Sequence, residues 1–418
     1  MYIRSLRISN LRCFREAELE LQFPGREQES PPPLSNINLL LGDNGSGKTT
    51  VFKAIALAVL APVIEGSGYR PYQLTRREAE GVQIGKTEAE ADLVLYGRDV
   101  GLPDNHLEPP VRIGRTGVRA HRIRDFEKLE KLHEGSDLEY WQELMYEDES
   151  PAFLLVGYGA TRSPISESGI ENFQPQSKRM LPRYQRVAGV FDERVNLAPL
   201  AAWLPRMERS DRVRFREIGQ LINELLPEET RFLDVLEGEE YLFEHRGIPV
   251  PFGALSDGYR AYLAWVTDLL YNMSLGCPPD TKLRDLQGVV LIDEIDLHLH
   301  PSWQREVVPT LSRALPHLQF VLSTHSPIVA GTLSSKNIFV LEMDESGAST
   351  VQQLQESIHG LDADQILLSS YFNLRSSRAP DAVDDLRQLS KRAMEGDPEA
   401  ARSFLEMLAK GSEVKPVR

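Results

Sequence analysis

Cysteine is almost absent: Cys13 and Cys277 are the only two in 418 residues. With no C-x-x-C pair and no histidine pair nearby, neither a disulfide framework nor a zinc site is expected. Long apolar runs are missing too. No window approaches ~18 uncharged apolar residues, the length a membrane-spanning helix needs. The opening stretch MYIRSLRISNLRCFREAELE alternates apolar with charged residues and lacks the unbroken core of a signal peptide. These absences lead to the expectation of a cytoplasmic protein with no membrane partner. No internal repeat and no sustained heptad is visible, so a solenoid or a long coiled coil is not expected. Positive charge is in deficit, 47 Lys and Arg against 62 Asp and Glu, for a net charge of -15. That balance argues against a nucleic-acid coat held by bulk electrostatics, while leaving room for one local basic groove.

What is present is ordinary for a chain with a real core, 41% hydrophobic and 26% charged residues. At roughly 100–200 residues per domain, the length suggests two or three structural units. Ile3, Leu6, Ile8 and Leu11, then Ala17, Leu19, Leu21 and Phe23, read as strands, followed by a proline-rich loop over 24–33. NINLLL (36–41) reads as a buried strand and TTVFKAIALAVL (49–60) as a helix stopped by Pro62. Further strands are predicted at 89–95, 153–156, 288–292, 319–322 and 338–343, with strand-like material at YLFEH and GIPVPF. A charged helix is predicted over 125–146, a long helix over 257–271, and helices from Asp362 onward. Strands alternating with helices imply an α/β fold with a largely parallel sheet covered on both faces.

Four short motifs carry chemistry. GDNGSGKT (42–49) matches G-x-x-x-x-G-K-[ST] between a buried strand and an apolar helix. Gly42, Asn44, Gly45, Ser46 and Gly47 let the backbone curl around nucleotide phosphates, with Thr50 just inside the helix whose positive end points at them. Lys48 would reach the β- and γ-phosphates, and Thr49 would ligate magnesium. VVLIDE ends at Asp293, placed at a strand's carboxyl end to hold the magnesium shell, and at Glu294, placed to polarise an attacking water. LSDGY puts Ser256 and Gly258 at a helix N-terminus, a second anion cradle or simply a good N-cap. STHSP sets His325 directly after a strand, within reach of a γ-phosphate or satisfied locally. Between them, EIDLHLHPSWQ carries Asp296 and the alternating His298 and His300, for which no third metal ligand is evident.

Taken in chain order, the motifs resemble the head domains of the SMC, RecF and OLD ATPase superfamily. IRSLRISNLRCF is similar to its first strands, which makes Arg12 the arginine that would approach the nucleotide. DEIDLHLHP with STHSP, GYGATR and LSDGYR is most similar to the OLD-like branch, including the ATPases of Septu-type antiphage systems. The likeness covers 1–60 and about 150–345. It implies an ABC-type (AAA-family) head in which ATP and Mg2+ on one copy are capped by Ser256 and Gly258 of another, with Asp296 at the seam. It also implies self-association as an ATP-stabilised dimer or higher even oligomer, and a separately encoded nuclease as partner.

The expected architecture is a P-loop ABC-type ATPase head with an inserted helical lobe and a short helical C-terminal tail. Its segments are 1–62 with the phosphate loop, a head extension over 63–160, a partly basic helical lobe over 161–250, the second part of the head over 251–345 and the tail over 346–418. The chain departs from the superfamily in three ways. No heptads follow the phosphate loop, so a long coiled coil is not expected, and the short stretch after His325 leads to the expectation of no Toprim nuclease domain. Asp362-Ala363-Asp364 resembles a Toprim D-x-D but is better explained as a helix N-cap. The glutamine between phosphate loop and signature could be Gln73 or Gln83. Lys178, Arg179, Arg183, Arg186, Arg194, Arg206, Arg209, Arg212, Arg214 and Arg216 form a basic region over 178–216. It could contact nucleic acid phosphates, dock an acidic partner, or be a solvated face. A RecF-like DNA clamp and a transporter ATPase subunit stand as alternatives to the defence ATPase.

Overall fold

The computed structural model describes residues 1–64, 73–77, 88–98, 111–123, 126–134, 144, 150–162, 182–192, 195–378 and 380–409. Its centre follows from segments that have no polar face. Strands β3 (Ile37–Gly42), β11 (Gly288–Ile292) and β12 (Leu318–Thr324) are buried nearly from end to end, which only a sheet covered on both faces can satisfy. With β7 (Leu154–Tyr158), β13 (Ile338–Met343) and β14 (Ser349–Gln352) they form a six-stranded sheet in the order β14-β13-β3-β12-β11-β7. All neighbours run parallel except the β13–β14 hairpin. The register sets Ile292 beside both Leu322 and Tyr158, and Thr324 beside Leu41. The carboxyl ends of four strands therefore meet along one edge, where open α/β sheets bind ligands.

Helix α1 (Lys48–Ile64) is apolar on every side from Ala54 to Leu60, and those residues are fully buried. A helix with no polar stripe needs cover all round. It gets that cover from β3 and β7 on one side and from a second sheet on the other. Each large side chain so buried contributes roughly 1.5–3 kcal/mol. The second sheet is antiparallel throughout, in the order β2-β1-β4-β5-β6, from β1 (Tyr2–Ser9), β2 (Glu16–Glu20), β4 (Glu88–Arg98), β5 (Val111–Ile123) and β6 (Phe126–Glu134).

β6 corrects the first part of the charged helix predicted over 125–146; of the rest, 135–143 and 145–146 lie outside the described residues. FEKLEKLHE pairs residue for residue with β5, and the Glu127 carboxylate accepts from the Leu74 and Thr75 amides. Glu/Lys spacing that would suit a helix face here dresses an edge strand, with Glu130 beside His121 and Arg119 across the pair. The β5 partner was not predicted.

The lobe expected to be helical is helical among its described residues only in part, and the strands expected at YLFEH and GIPVPF lie in it. α2 (Leu200–Ser210) and α3 (Arg212–Leu225) are followed by a three-stranded sheet of β8 (Thr230–Glu237), β9 (Glu240–His245) and β10 (Ile248–Pro251). Asp211 caps α3 by accepting from the amides of Val213 and Arg214. α4 (Asp257–Gly276) and α5 (Val307–Ala314) complete the first of two compact units, Met1–Gly360. The expected tail boundary at 346 falls inside this unit. Asp344 accepts from Ser346 and Ala348, closing the turn that returns β14 onto β13. The second unit, from Leu361, holds α6 (Pro380–Met394) and α7 (Pro398–Ala409). In it, Asp362 caps a short helix in a reciprocal capping box with Gln365. Among the described residues no helix is long and apolar enough to cross a membrane.

Candidate functional site

The loop between β3 and α1 wraps a cleft of about 520 Å3, lined by residues from three strand ends. Arg12, Asn44, Gly45, Gly47, Lys48, Thr49, Thr50, Asp293, Glu294 and His325 all reach it. Gly47, at φ 106°, has no room for a side chain: a Cβ would lie 2.7 Å from Cys13 Sγ and from the Phe14 ring. Glycine is therefore demanded twice, by the backbone conformation and by close approach. Gly42 and Ser46 shape the loop from behind and do not line the cleft.

Lys48 is buried, and its ammonium donates to the carbonyls of Gly42 (2.7 Å) and Asp43 (2.9 Å). Burial draws its pKa down, opposed by the charges of Asp293, Glu294, Asp43 and Asp296. The Thr49 hydroxyl donates to Asp293 Oδ2 at 2.6 Å, and Ser323 donates to the other Asp293 oxygen. A hydroxyl and a carboxylate in contact are oxygen donors of the kind a hard cation takes. Among the described residues no three His, Cys, Asp or Glu side chains gather as an all-protein metal cage. That arrangement suits magnesium, which is commonly held by one or two carboxylates together with substrate phosphates. His300 instead caps a turn, accepting from the Ser302 amide.

Glu294 follows Asp293 in a left-handed conformation, φ 49°, with its amide donating to Ser323 Oγ at 2.8 Å. His325 Nε2 is buried and has no hydrogen-bond partner, an atom that a ligand oxygen would satisfy. Asp296 is held by Thr324 and is not in the cleft lining.

The signature residues stand apart. Ser256 is exposed, makes no side-chain cap to α4, and together with Gly258 is absent from the cleft lining. Gly258 has a reason of its own within the chain: a Cβ there would meet the His298 carbonyl at 2.5 Å. The LSDGY turn is thus seated on the DLHLHP turn.

Three lining or flanking residues were not predicted. Cys13 and Lys53 line the cleft, Lys53 lying one turn beyond Thr49 on α1. Arg162, the last residue of GYGATR, donates from its two terminal nitrogens to the carbonyls of Asp293 (2.8 Å) and Glu294 (2.7 Å). Burial lowers its pKa to about 10 against the pull of Asp293, Glu294 and Asp296. Gln73 is exposed with φ 54°, and Gln83 lies outside the described residues.

The basic region is not one exposed face. Arg183 donates to the carbonyls of Phe153 and Leu144, Arg214 pairs with Glu217 at 2.7 Å and donates to the carbonyls of Pro278 and Thr281, and Arg186 is buried. Arg183 and Arg214 are taken up by carbonyls and Arg186 is buried, so these three do not face an outside partner. Arg206, Arg209, Arg212 and Arg216 are exposed, while Lys178, Arg179 and Arg194 lie outside the described residues. A larger cleft of about 790 Å3, between the end of α3 and α5, has neither a phosphate cradle nor a hydroxyl–carboxylate pair.

A family model described as "AAA domain, putative AbiEii toxin, Type IV TA system" matches residues 37–330, and one described as "AAA ATPase domain" matches 1–59. The chain is 26% identical over 394 residues to a Septu protein PtuA of Bacillus mycoides (strain KBAB4), covering 94% of this chain and 47% of that protein. It therefore spans about half the length of that relative. It is 23% identical over 366 residues to the "Retron Vc95 probable ATPase" of Vibrio cholerae serotype O1 biovar El Tor, covering 74% of this chain and 70% of that protein. A crystal structure of an SMC head bound to the C-winged helix domain of ScpA superposes with a TM-score of 0.50 at 16% identity. It covers 85% of this chain and 98% of that one, and shares its fold.

Proposed function

The chain belongs to this AAA family, with the fold of an SMC- and OLD-like ATPase head, and on that premise we propose that it hydrolyses ATP at a site completed by a second copy of itself. The observation that carries the reading is the convergence of Lys48, the Thr49–Asp293 pair, Glu294 and the unpartnered His325 Nε2 on one cleft.

Lys48 leaves the loop carbonyls it now holds for the β- and γ-phosphates. Thr49 and Asp293 hold magnesium, which when bound neutralises charge developing on the phosphates. Glu294 accepts hydrogen from the attacking water, His325 hydrogen-bonds the γ-phosphate, and Arg12 approaches the nucleotide from the β1 side. Ser256, exposed, and Gly258, half-buried, both outside the lining of their own chain's cleft, cap the nucleotide of the facing copy, with Asp296 at the seam. The similarity to a Septu protein supports a place in antiphage defence, in which the ATPase regulates a separately encoded nuclease.

The test is the native mass of Glu294→Gln protein purified from its own host and held in ATP with magnesium. Multiples of the 47.2 kDa chain with a copurifying nuclease support the whole reading. Multiples of the chain alone support the dimer but remove the nuclease and shift weight to a DNA clamp. A monomer in ATP refutes the composite site. For the clamp, Arg206, Arg209, Arg212 and Arg216 are the exposed cations, and affinity for DNA that falls steeply with salt in the absence of any partner is its signature.

A further inference from the structure

Arg162 belongs to none of the nucleotide-binding motifs, yet it touches the backbone of the acidic turn and the helix that bears the signature. We propose that Arg162 is a positioning residue that sets the backbone of Glu294 and ties it to α4, so that the water-polarising carboxylate is placed only while α4 is docked. The proposal rests on reading Glu294 as the water-polarising acid.

The peptide before Glu294 presents the Asp293 carbonyl, and the peptide after it presents the Glu294 carbonyl. Arg162 holds both, at 2.8 and 2.7 Å, while Ser323 Oγ accepts from the Glu294 amide at 2.8 Å. The amide of Ile295 donates to the Ser323 carbonyl at 2.9 Å, so every polar group of the two peptide planes flanking Glu294 Cα is tied. Such restraint is what a non-glycine residue at φ 49° needs in order to persist. The guanidinium bonds carbonyls and leaves the Asp293 and Glu294 carboxylates free for their own work. Two divergent donors in a rigid fork reach two successive carbonyls; a lysine ammonium is a single point and cannot match that geometry.

The other side of the guanidinium lies 6.0 Å from the ring centroid of Trp265, buried on α4. One turn along the same helix, Asp268 accepts from the Tyr158 hydroxyl at 2.7 Å. Tyr158 and Arg162 both come from the end of β7, so that end is fastened twice to the helix that begins just after Ser256. A shift of α4 when a second copy engages Ser256 and Gly258 would be felt at Trp265, and through Arg162 at Glu294.

The experiment compares Arg162→Lys and Arg162→Ala with wild type and Glu294→Gln in the full chain. It reads binding of a fluorescent ATP analogue, steady-state hydrolysis and thermal melting. A misplacement of about 1 Å at a reacting group costs on the order of 10²-fold in rate. We expect kcat to fall by about that factor in both Arg162 variants, with nucleotide affinity unchanged and no rescue by lysine. Full hydrolysis by Arg162→Lys overturns the proposal. Loss of nucleotide binding together with a lowered melting temperature in both variants also overturns it, since the residue is then only structural. If Glu294→Gln itself hydrolyses at the wild-type rate, the underlying reading of Glu294 has failed, whatever Arg162 does.

Discussion

Lys48, Thr49, Asp293 and His325 reach one cleft from strand ends that the parallel register holds side by side, whereas Ser256 stands on an exposed turn and touches none of them. The first group is held together by the chain's own bonds. Its hydroxyl already bonds its carboxylate, and its lysine is held by the loop it will serve. The second is positioned by packing, of Gly258 close to the His298 carbonyl and of the Tyr259 ring against Trp303 and His245. On the function proposed above, a chain built this way would bind nucleotide alone and need another surface to act on it, which would make hydrolysis a report on assembly.

The contrast can be broken most sharply at Glu294. Glu294→Gln should lower hydrolysis by roughly 10²–10⁴-fold, the range of general acid–base catalysis, while ATP still binds. Wild-type turnover in this variant would sink the assignment. Lys48→Ala acts on the assembled half at an earlier step. Removing a charged hydrogen-bonding group should weaken nucleotide binding on the order of 10²-fold, measurable by titration calorimetry.

The signature turn separates into two effects. Gly258→Ala forces a Cβ against a backbone carbonyl, and overpacking of that kind costs about 1–3 kcal/mol, visible as a lowered melting temperature without nucleotide. Ser256→Ala should leave that melting temperature unchanged, because its hydroxyl caps nothing, yet abolish ATP-dependent self-association in sedimentation. If both variants lower stability alike and assemble normally, the turn is only a helix cap.

The link between the halves has a smaller, pH-dependent signature. Burial raises the pKa of Asp268 from 3.8 to about 6, against the hydrogen bonds it accepts from the Ala198 amide, Tyr158 and Asn272. The folded chain keeps a proton there that the unfolded chain has released. This contribution to stability is therefore full below about pH 4 and lost as pH rises through about 6. The melting temperature of wild type minus that of Asp268→Asn should decline across this window and flatten above it. A difference that does not change with pH would remove the titration.

Most of the central sheet was legible because it is made of segments with no polar face. GVVLI, QFVL and IFVLEM could be nothing but buried strands in a chain that alternates them with helices. The phrase GDNGSGKT could be read because its glycines answer a local backbone need. Charged segments were read less well. FEKLEKLHE carries its charges at spacings open to helix or edge strand, and only β5 decides between them. Arg183, Arg186 and Arg214 look like surface cations in a list of residues, but long side chains can carry their charge to buried carbonyls far away in sequence.

The sequence alone determined which segments must be buried, where the backbone must bend through glycine, and in what order the phosphate-binding, signature and acidic motifs occur. These are properties of a few neighbouring residues. The tertiary structure decided that Arg162 clamps carbonyls 131 and 132 positions away, that Gly258 rests on His298, and that Ser256 is left facing outward. The reason is the reach of the interactions: steric and hydrophobic patterns repeat within a turn or a strand, whereas a hydrogen bond between distant segments exists only once the sheet has set their register.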